Sequence, residues 1–261
     1  MLDHSKSLAM VLLLAVVTVL YSFAAPSTEA LRPAGPTYLY KTTFVRAAPG
    51  KLLDLIALYK GRMDVHDAAK DERPLWWRHA EGDQWDLMLL IPMGSYAEYH
   101  SKERLALRKK AVGAASLTPE EFQDKLEACS AWREDLLVLG PPLETVKKAF
   151  EAASFYHVEM FIALPGKQAE LFKEREMENA YQVAMGRPEY MTFVRQEGAA
   201  WDMFSLGCYR DMLHWADTGN IPKDKKDLAA RQAGFKDSGE IGPTMRTLIV
   251  MHRDTMGGAI K

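Results

Sequence analysis

YKTTFVRAAPGKLLDL, residues 40–55, returns as YHVEMFIALPGKQAEL, residues 156–171. Tyr40, Ala47, Pro49, Gly50, Lys51 and Leu55 recur as Tyr156, Ala163, Pro165, Gly166, Lys167 and Leu171. Farther along, Glu81, Gly82, Trp85 and Asp86 recur as Glu197, Gly198, Trp201 and Asp202. Subtracting 49 from 165 and 85 from 201 gives the same offset, 116. A constant offset over two separated motifs reads as a tandem duplication, and a repeat of this kind governs every other assignment.

Each copy opens on an alternating stretch, Tyr38 to Ala47 and Phe155 to Ala163, which predicts a strand. Pro-Gly breaks it and an amphipathic helix follows, with Leu52, Leu55, Ile56 and Tyr59 on one face. A second strand is expected at Leu75 to His79 and at Tyr190 to Arg195. Short glycine turns at Glu81-Gly82 and Glu197-Gly198 lead into a third strand that begins Trp-Asp. Helices are expected at Ser95 to Lys110 and Arg210 to Ala216. The first copy adds one opened by Thr118-Pro119-Glu120-Glu121, a capping box with proline at the first helical position. Final strands fall at Asp135 to Leu139 and Arg246 to His252. The order in each copy is β-α-β-β-α-β, a ferredoxin-like unit.

Taken together, the strand, Pro-Gly-Lys turn, helix, Trp-containing strand, glycine turn and Trp-led strand resemble the dimeric α+β barrel superfamily. That group includes NIPSNAP-like proteins, antibiotic-biosynthesis-type monooxygenases and stress-responsive barrel proteins. The resemblance spans residues 37–252. It implies an α+β chain whose two ferredoxin-like repeats, 31–140 and 141–261, pack sheet against sheet as an intramolecular barrel. A short helical linker near Glu144 to Ala152 opens the second repeat.

Alternation gives each strand two faces. Tyr40, Phe44, Tyr156, Val158, Met160 and Ile162 are the more apolar row and are assigned to the helix side. The opposite row then lines the barrel interior: Lys41, Trp76, Arg78, Trp85, His157, Glu159, Tyr190 and Trp201. Ionised groups in a dry interior are costly, so two readings stand. In one, the charges pair at a solvated rim, Glu159 with Lys41 or Arg78. In the other, Lys41, Trp76, Arg78, Trp85, Tyr190 and Trp201 bind a small ligand in a partly wet pocket. His157, which titrates near neutrality, and Glu159 on the same face are then candidates for acid–base work, such as proton abstraction from an oxidisable substrate. The Asp of each Trp-Asp pair is assigned to turn hydrogen bonding and each Trp to filling volume. Haem-degrading members of the superfamily ligate iron through a helix histidine, which brings in His100 and His214. These two are not equivalent by the 116-residue offset, and no matching asparagine stands in either first strand.

At the N-terminus, Lys6 precedes an apolar run from Leu8 to Leu20, and small residues follow at Ala24 and Ala30. The run is shorter than the ~20 residues a spanning helix requires. Residues 1–30 are therefore expected to be a signal peptide, and the mature chain to be exported, periplasmic or extracellular, without a membrane span. Lys and Arg total 33 against 35 Asp and Glu, for a net charge of −2, and no basic stripe suits nucleic acid. No Cys/His group has metal-site spacing, so no metal is expected. Cys129 and Cys208 admit a disulfide that spacing alone does not establish. Serine-nucleophile and phosphate-loop motifs are absent. Three functions remain open: a small-molecule-binding barrel with monooxygenase-like or haem-related activity, a structural or protein-interaction module, and assembly into rings through outer strands.

Overall fold

The computed structural model describes residues 37–260; the expected signal segment lies outside them. Eight strands close into one barrel, in the cyclic order β1-β3-β2-β8-β5-β7-β6-β4 and back to β1, every neighbouring pair antiparallel. The strands of the first half are β1 (Tyr38–Ala47), β2 (Leu75–Glu81), β3 (Leu87–Gly94) and β4 (Ser130–Gly140). Those of the second are β5 (Phe155–Ala163), β6 (Met191–Glu197), β7 (Met203–Tyr209) and β8 (Ile249–Ala259). Exchanging β1–β4 for β5–β8 maps the ring onto itself. The halves are joined by hydrogen-bonded ladders, β2 with β8 and β4 with β6. Each strand therefore has two neighbours, which closes the route to rings built by strand pairing between chains.

The repeated turn motifs do the same work in both halves. Gly50 (φ 75°) and Gly166 (φ 78°) take the left-handed conformation after their prolines. The Asp86 carboxylate accepts from Ala47 N at 2.8 Å, and Asp202 accepts from Ala163 N at 2.9 Å, so each ties down the end of its half's first strand, 39 residues back, rather than its own hairpin turn as expected. Gly82 and Gly198 also have positive φ, and each presses on a strand of the other half. A Cβ on Gly82 would stand 2.1 Å from Asp254 O, and one on Gly198 would stand 2.6 Å from Asp135 O.

Helices cover the outside: α1 (Leu52–Lys60), α2 (Met63–Ala68), α3 (Tyr96–Tyr99), α4 (Lys102–Gly113) and α5 (Pro119–Cys129) in the first half. The second half contributes α6 (Leu143–Glu151), α7 (Gln168–Ala184), α8 (Met212–Ala216), α9 (Lys223–Ala233) and α10 (Ile241–Arg246). The expected capping box at Thr118 and Glu121 is present in both directions. The helix expected over Ser95 to Lys110 is two, because Ser101 accepts from Arg104 N at 3.3 Å and starts a new one. The final strand begins later than expected, since Ile241 to Arg246 is helical and the strand runs on through Gly257 and Gly258. Among the described residues no helix is long and apolar enough to cross a membrane.

The face assignment from the sequence is inverted. Tyr40, Phe44, Trp77, Met88, Tyr156, Val158, Phe193 and Phe204 fill the barrel interior, which is a packed, largely aromatic core rather than a polar pocket. Phe193 stacks on Phe204 at 4.6 Å, and Trp77 meets Tyr156 at 5.3 Å. Lys41, Trp76, Arg78, His157, Glu159 and Tyr190 lie outside that interior, on the helix side of the wall. The reason is enclosure: a ring of strands shuts out water on every side, so the more apolar row goes in. Apolar residues of α6 plug one end, through Leu143, Val146 and Phe150. Trp85 and Trp201 remain on the interior side, at the opposite end. Cys129 and Cys208 are free thiols, the first packed in the outer layer and the second facing the interior.

Candidate functional site

Between the second half of the sheet and α7 lies a cluster of ionisable groups. β5 presents His157, Glu159 and Phe161 outward, and β8, paired Glu159 to Asp254 and Phe161 to His252, adds its own polar row. From above, α7 lowers Glu174, Arg175 and Glu178, three positions that helical spacing brings to one stripe with Leu171.

His157 Nε2 lies 3.1 Å from Asp254 Oδ1, and the other carboxylate oxygen lies 3.1 Å from His252 Nε2. Arg175, with only 2% of its side chain exposed, reaches Glu178 at 2.5 Å, Glu174 at 2.7 Å and Glu159 at 3.4 Å. Its guanidinium also sits 4.7 Å above the Phe161 ring. Three carboxylates thus share one buried cation. Burial, reinforced by the Glu178 charge and opposed by Arg175 and His157, lifts the Glu159 carboxyl to about 7. Burial alone would depress the His157 ring, but its hydrogen bond to Asp254 and the Glu159 charge raise it above its ordinary value. That same hydrogen bond, with the His157 and His252 charges, holds Asp254 below the usual carboxylate range against the effect of burial.

Aromatic rings wall His157. Tyr190 and Trp215 stand 6.3 and 5.9 Å from it, centre to centre. Gly207, directly opposite His157 in the ladder, makes the room: a Cβ there would lie 2.5 Å from the Tyr190 ring. The Tyr209 hydroxyl donates to the Tyr190 hydroxyl at 3.0 Å, and burial raises both phenols. His157 Nδ1 is buried without a partner among the described residues.

His157, Glu159 and Asp254 offer ligand atoms within 4.8 Å of one another, a nitrogen and two oxygens that suit a divalent ion. Arg175 already supplies the positive charge at Glu159, so an ion would have to displace it. The fit to haem is poor. His100 is exposed and caps α3. His214 accepts from Arg210 N at 3.4 Å and lends its carbonyl to Arg187.

The expected site residues fall in three places. His157, Glu159 and Tyr190 belong to this cluster. Lys41 occupies the matching layer of the first half, where it pairs with Asp135 at 3.4 Å beside a cavity of about 170 Å³, with Trp76 packed against the same layer. Thr43 stands where the second half has Glu159, and Tyr59 where it has Arg175, so the first half lacks the acid–base set. Arg78 is exposed on β2, far from pairing with Glu159. Trp85 and Trp201 share the barrel's open end. Asp254 and Arg175 were not anticipated. Only pairing of β8 with β5 reveals the first, while the second sits in a charged stretch that reads as solvated.

No protein-family model and no curated protein matches the chain. Among solved structures, an anthrone oxidase-like protein superposes with a TM-score of 0.52 at 12% identity, over 87% of this chain and 93% of its own. A proposed monooxygenase from Lactobacillus acidophilus NCFM gives 0.49 at 9% identity, over 85% and 93%. A proposed chlorite dismutase gives 0.47 at 12%, over 86% and 96%. The anthrone oxidase-like protein and this chain share an overall fold, here an antiparallel barrel wrapped in helices. At such identities the likeness extends to the fold alone.

Proposed function

We propose that this protein binds a small, oxidisable organic molecule against the outer face of its second half and removes a proton from it. The observation that carries this reading is the buried Glu159 carboxyl set beside a histidine held by Asp254, surroundings that push the carboxyl up to about 7. A base works best when its pKa is close to the ambient pH, and perturbed groups of this kind gather at functional sites. Glu159 is the base in this scheme, with His157 as the group that accepts or returns the proton. Tyr190 and Trp215 form the apolar wall against which a ring would lie. The anthrone oxidase-like neighbour supports the fold, and an anthrone is a substrate of the required chemistry, with an acidic C–H next to an aromatic ketone. Loss of that proton gives an electron-rich anion that dioxygen oxidises.

We further propose that the two halves descend from one duplicated unit and that the chain is exported. The repeated spacing supports the first, and the apolar N-terminal run supports the second.

The test is oxygen uptake with anthrone as substrate, comparing the natural chain with Glu159→Gln and His157→Asn. Loss of at least about a hundredfold in both variants is expected, the scale of a missing general base. Equal rates in all three proteins would overturn the assignment. A Soret band in the protein purified from its host would replace it with the haem-related alternative.

A further inference from the structure

The end of the barrel opposite α6 has a chemistry of its own. A cavity of about 180 Å³ opens there, somewhat larger than an engineered hole of ~150 Å³ that accepts benzene. Phe44, Trp85, Trp132 and Trp201 line it. Phe44 packs directly against Trp85 at 5.4 Å, tilted, and against Trp201 at 5.7 Å, edge-on, and these rings form the buried floor of the cavity.

Among the charges on that lining, Asp83 and Arg253 pair at 2.8 Å and cancel. Glu134 remains. It accepts from Trp201 Nε1 at 3.4 Å and has no cationic partner among the described residues. Its neighbour Arg133 turns to the outer face and pairs with Asp135. Arg46, at the same end, is directed to Gln84 Oε1 at 3.3 Å. Several aromatic faces around one unpaired carboxylate form the arrangement that holds quaternary ammonium ions, through attraction of the cation to the ring quadrupoles. Trp85 Nε1 is buried without an acceptor among the described residues, leaving a donor for a hydroxyl on the same ligand.

We propose that this end of the barrel is a binding site for a small organic ammonium ion, independent of the His157 cluster on the outer face. The repeated tryptophans contribute one ring from each half, and Trp132 and Glu134 come from the first half alone. The site is thus asymmetric, with one carboxylate for one cation.

The test is a titration with choline, read by tryptophan fluorescence at constant ionic strength and compared with its uncharged isostere, in which a tert-butyl group replaces trimethylammonium. Saturable binding with a dissociation constant on the order of 1 mM is expected for choline, within the range of a fragment-sized ligand. The isostere should bind at least about tenfold more weakly. Glu134→Gln should weaken choline about five- to tenfold with unchanged circular dichroism and melting temperature, since the amide oxygen can still accept from Trp201. Trp132→Leu should weaken it further. Equal binding of choline and the isostere would show an apolar hole and overturn the proposal. So would no saturable response up to about 50 mM choline, a range that covers even weak fragments, or unchanged affinity in both variants.

Discussion

Glu159→Gln would turn a buried, titrating carboxyl into a neutral amide of the same shape. A carboxyl with a higher pKa folded than unfolded favours the fold fully below its unfolded value, and that contribution is lost as pH rises through the folded value. For Glu159 the two ends of the window are 4.5 and about 7. At about 1.4 kcal/mol for each pH unit, the natural protein should lose about 3 kcal/mol across that window that the variant does not. At pH 4, below the unfolded value, the two should be nearly equal in stability. At pH 8 the variant should be more stable by about 3 kcal/mol, some of it shared with His157 and Asp254, because the three titrate together. Urea unfolding at a series of pH values, with the two curves subtracted, removes the contribution of titrating groups that do not interact with Glu159. If the difference stays within about 0.5 kcal/mol over the whole range, the experimental scatter for independent sites, Glu159 does not titrate near neutrality and the case for it as a base fails.

Arg175→Met should destabilise the fold by about 3–5 kcal/mol, because Glu159, Glu174 and Glu178 would keep their burial and lose their cation; calorimetry should show the melting temperature fall by roughly 10 °C. Asp254→Asn should bring the His157 pKa down, read by NMR titration of its ring protons. His157 itself adds stability fully present below its unfolded value of 6.5 and lost as pH rises through its raised folded value, so the variant should lose more stability on the acid side of neutrality than on the alkaline side. Gly82→Ala should cost about 2 kcal/mol or more in urea unfolding, since it combines a positive φ with a clash against backbone; Gly198→Ala should behave alike, and a neutral result at either would refute the tight joint described there.

Local chemistry was the legible part of this sequence. Pro49-Gly50 and Thr118 to Glu121 act within a few residues of themselves, and the structure has each in its expected role, whereas Asp86 and Asp202 bond backbone 39 residues away. Which face of a strand turned inward was not legible. Tyr40 and Phe44 on one row, and Thr43 and Val45 on the other, are all buried, because a closed barrel wrapped in helices buries both sides of its wall. Alternation then separates two rows without saying which is inside. The candidate site suffered twice from distance. Asp254 meets His157 across 97 residues. Arg175 looks solvated because its neighbours are acidic, yet those same neighbours are what permit its burial.

The ladders of β2 with β8 and β4 with β6 have one consequence for how this molecule can change. In a barrel assembled from two identical chains, any substitution appears at both poles, and a residue useful on one side is imposed on the other. Here one continuous chain supplies both, so Glu159 and Thr43, or Trp132 and Met251, can differ while the seams stay intact. The chain is free to specialise each pole separately without renegotiating the contact that keeps them together.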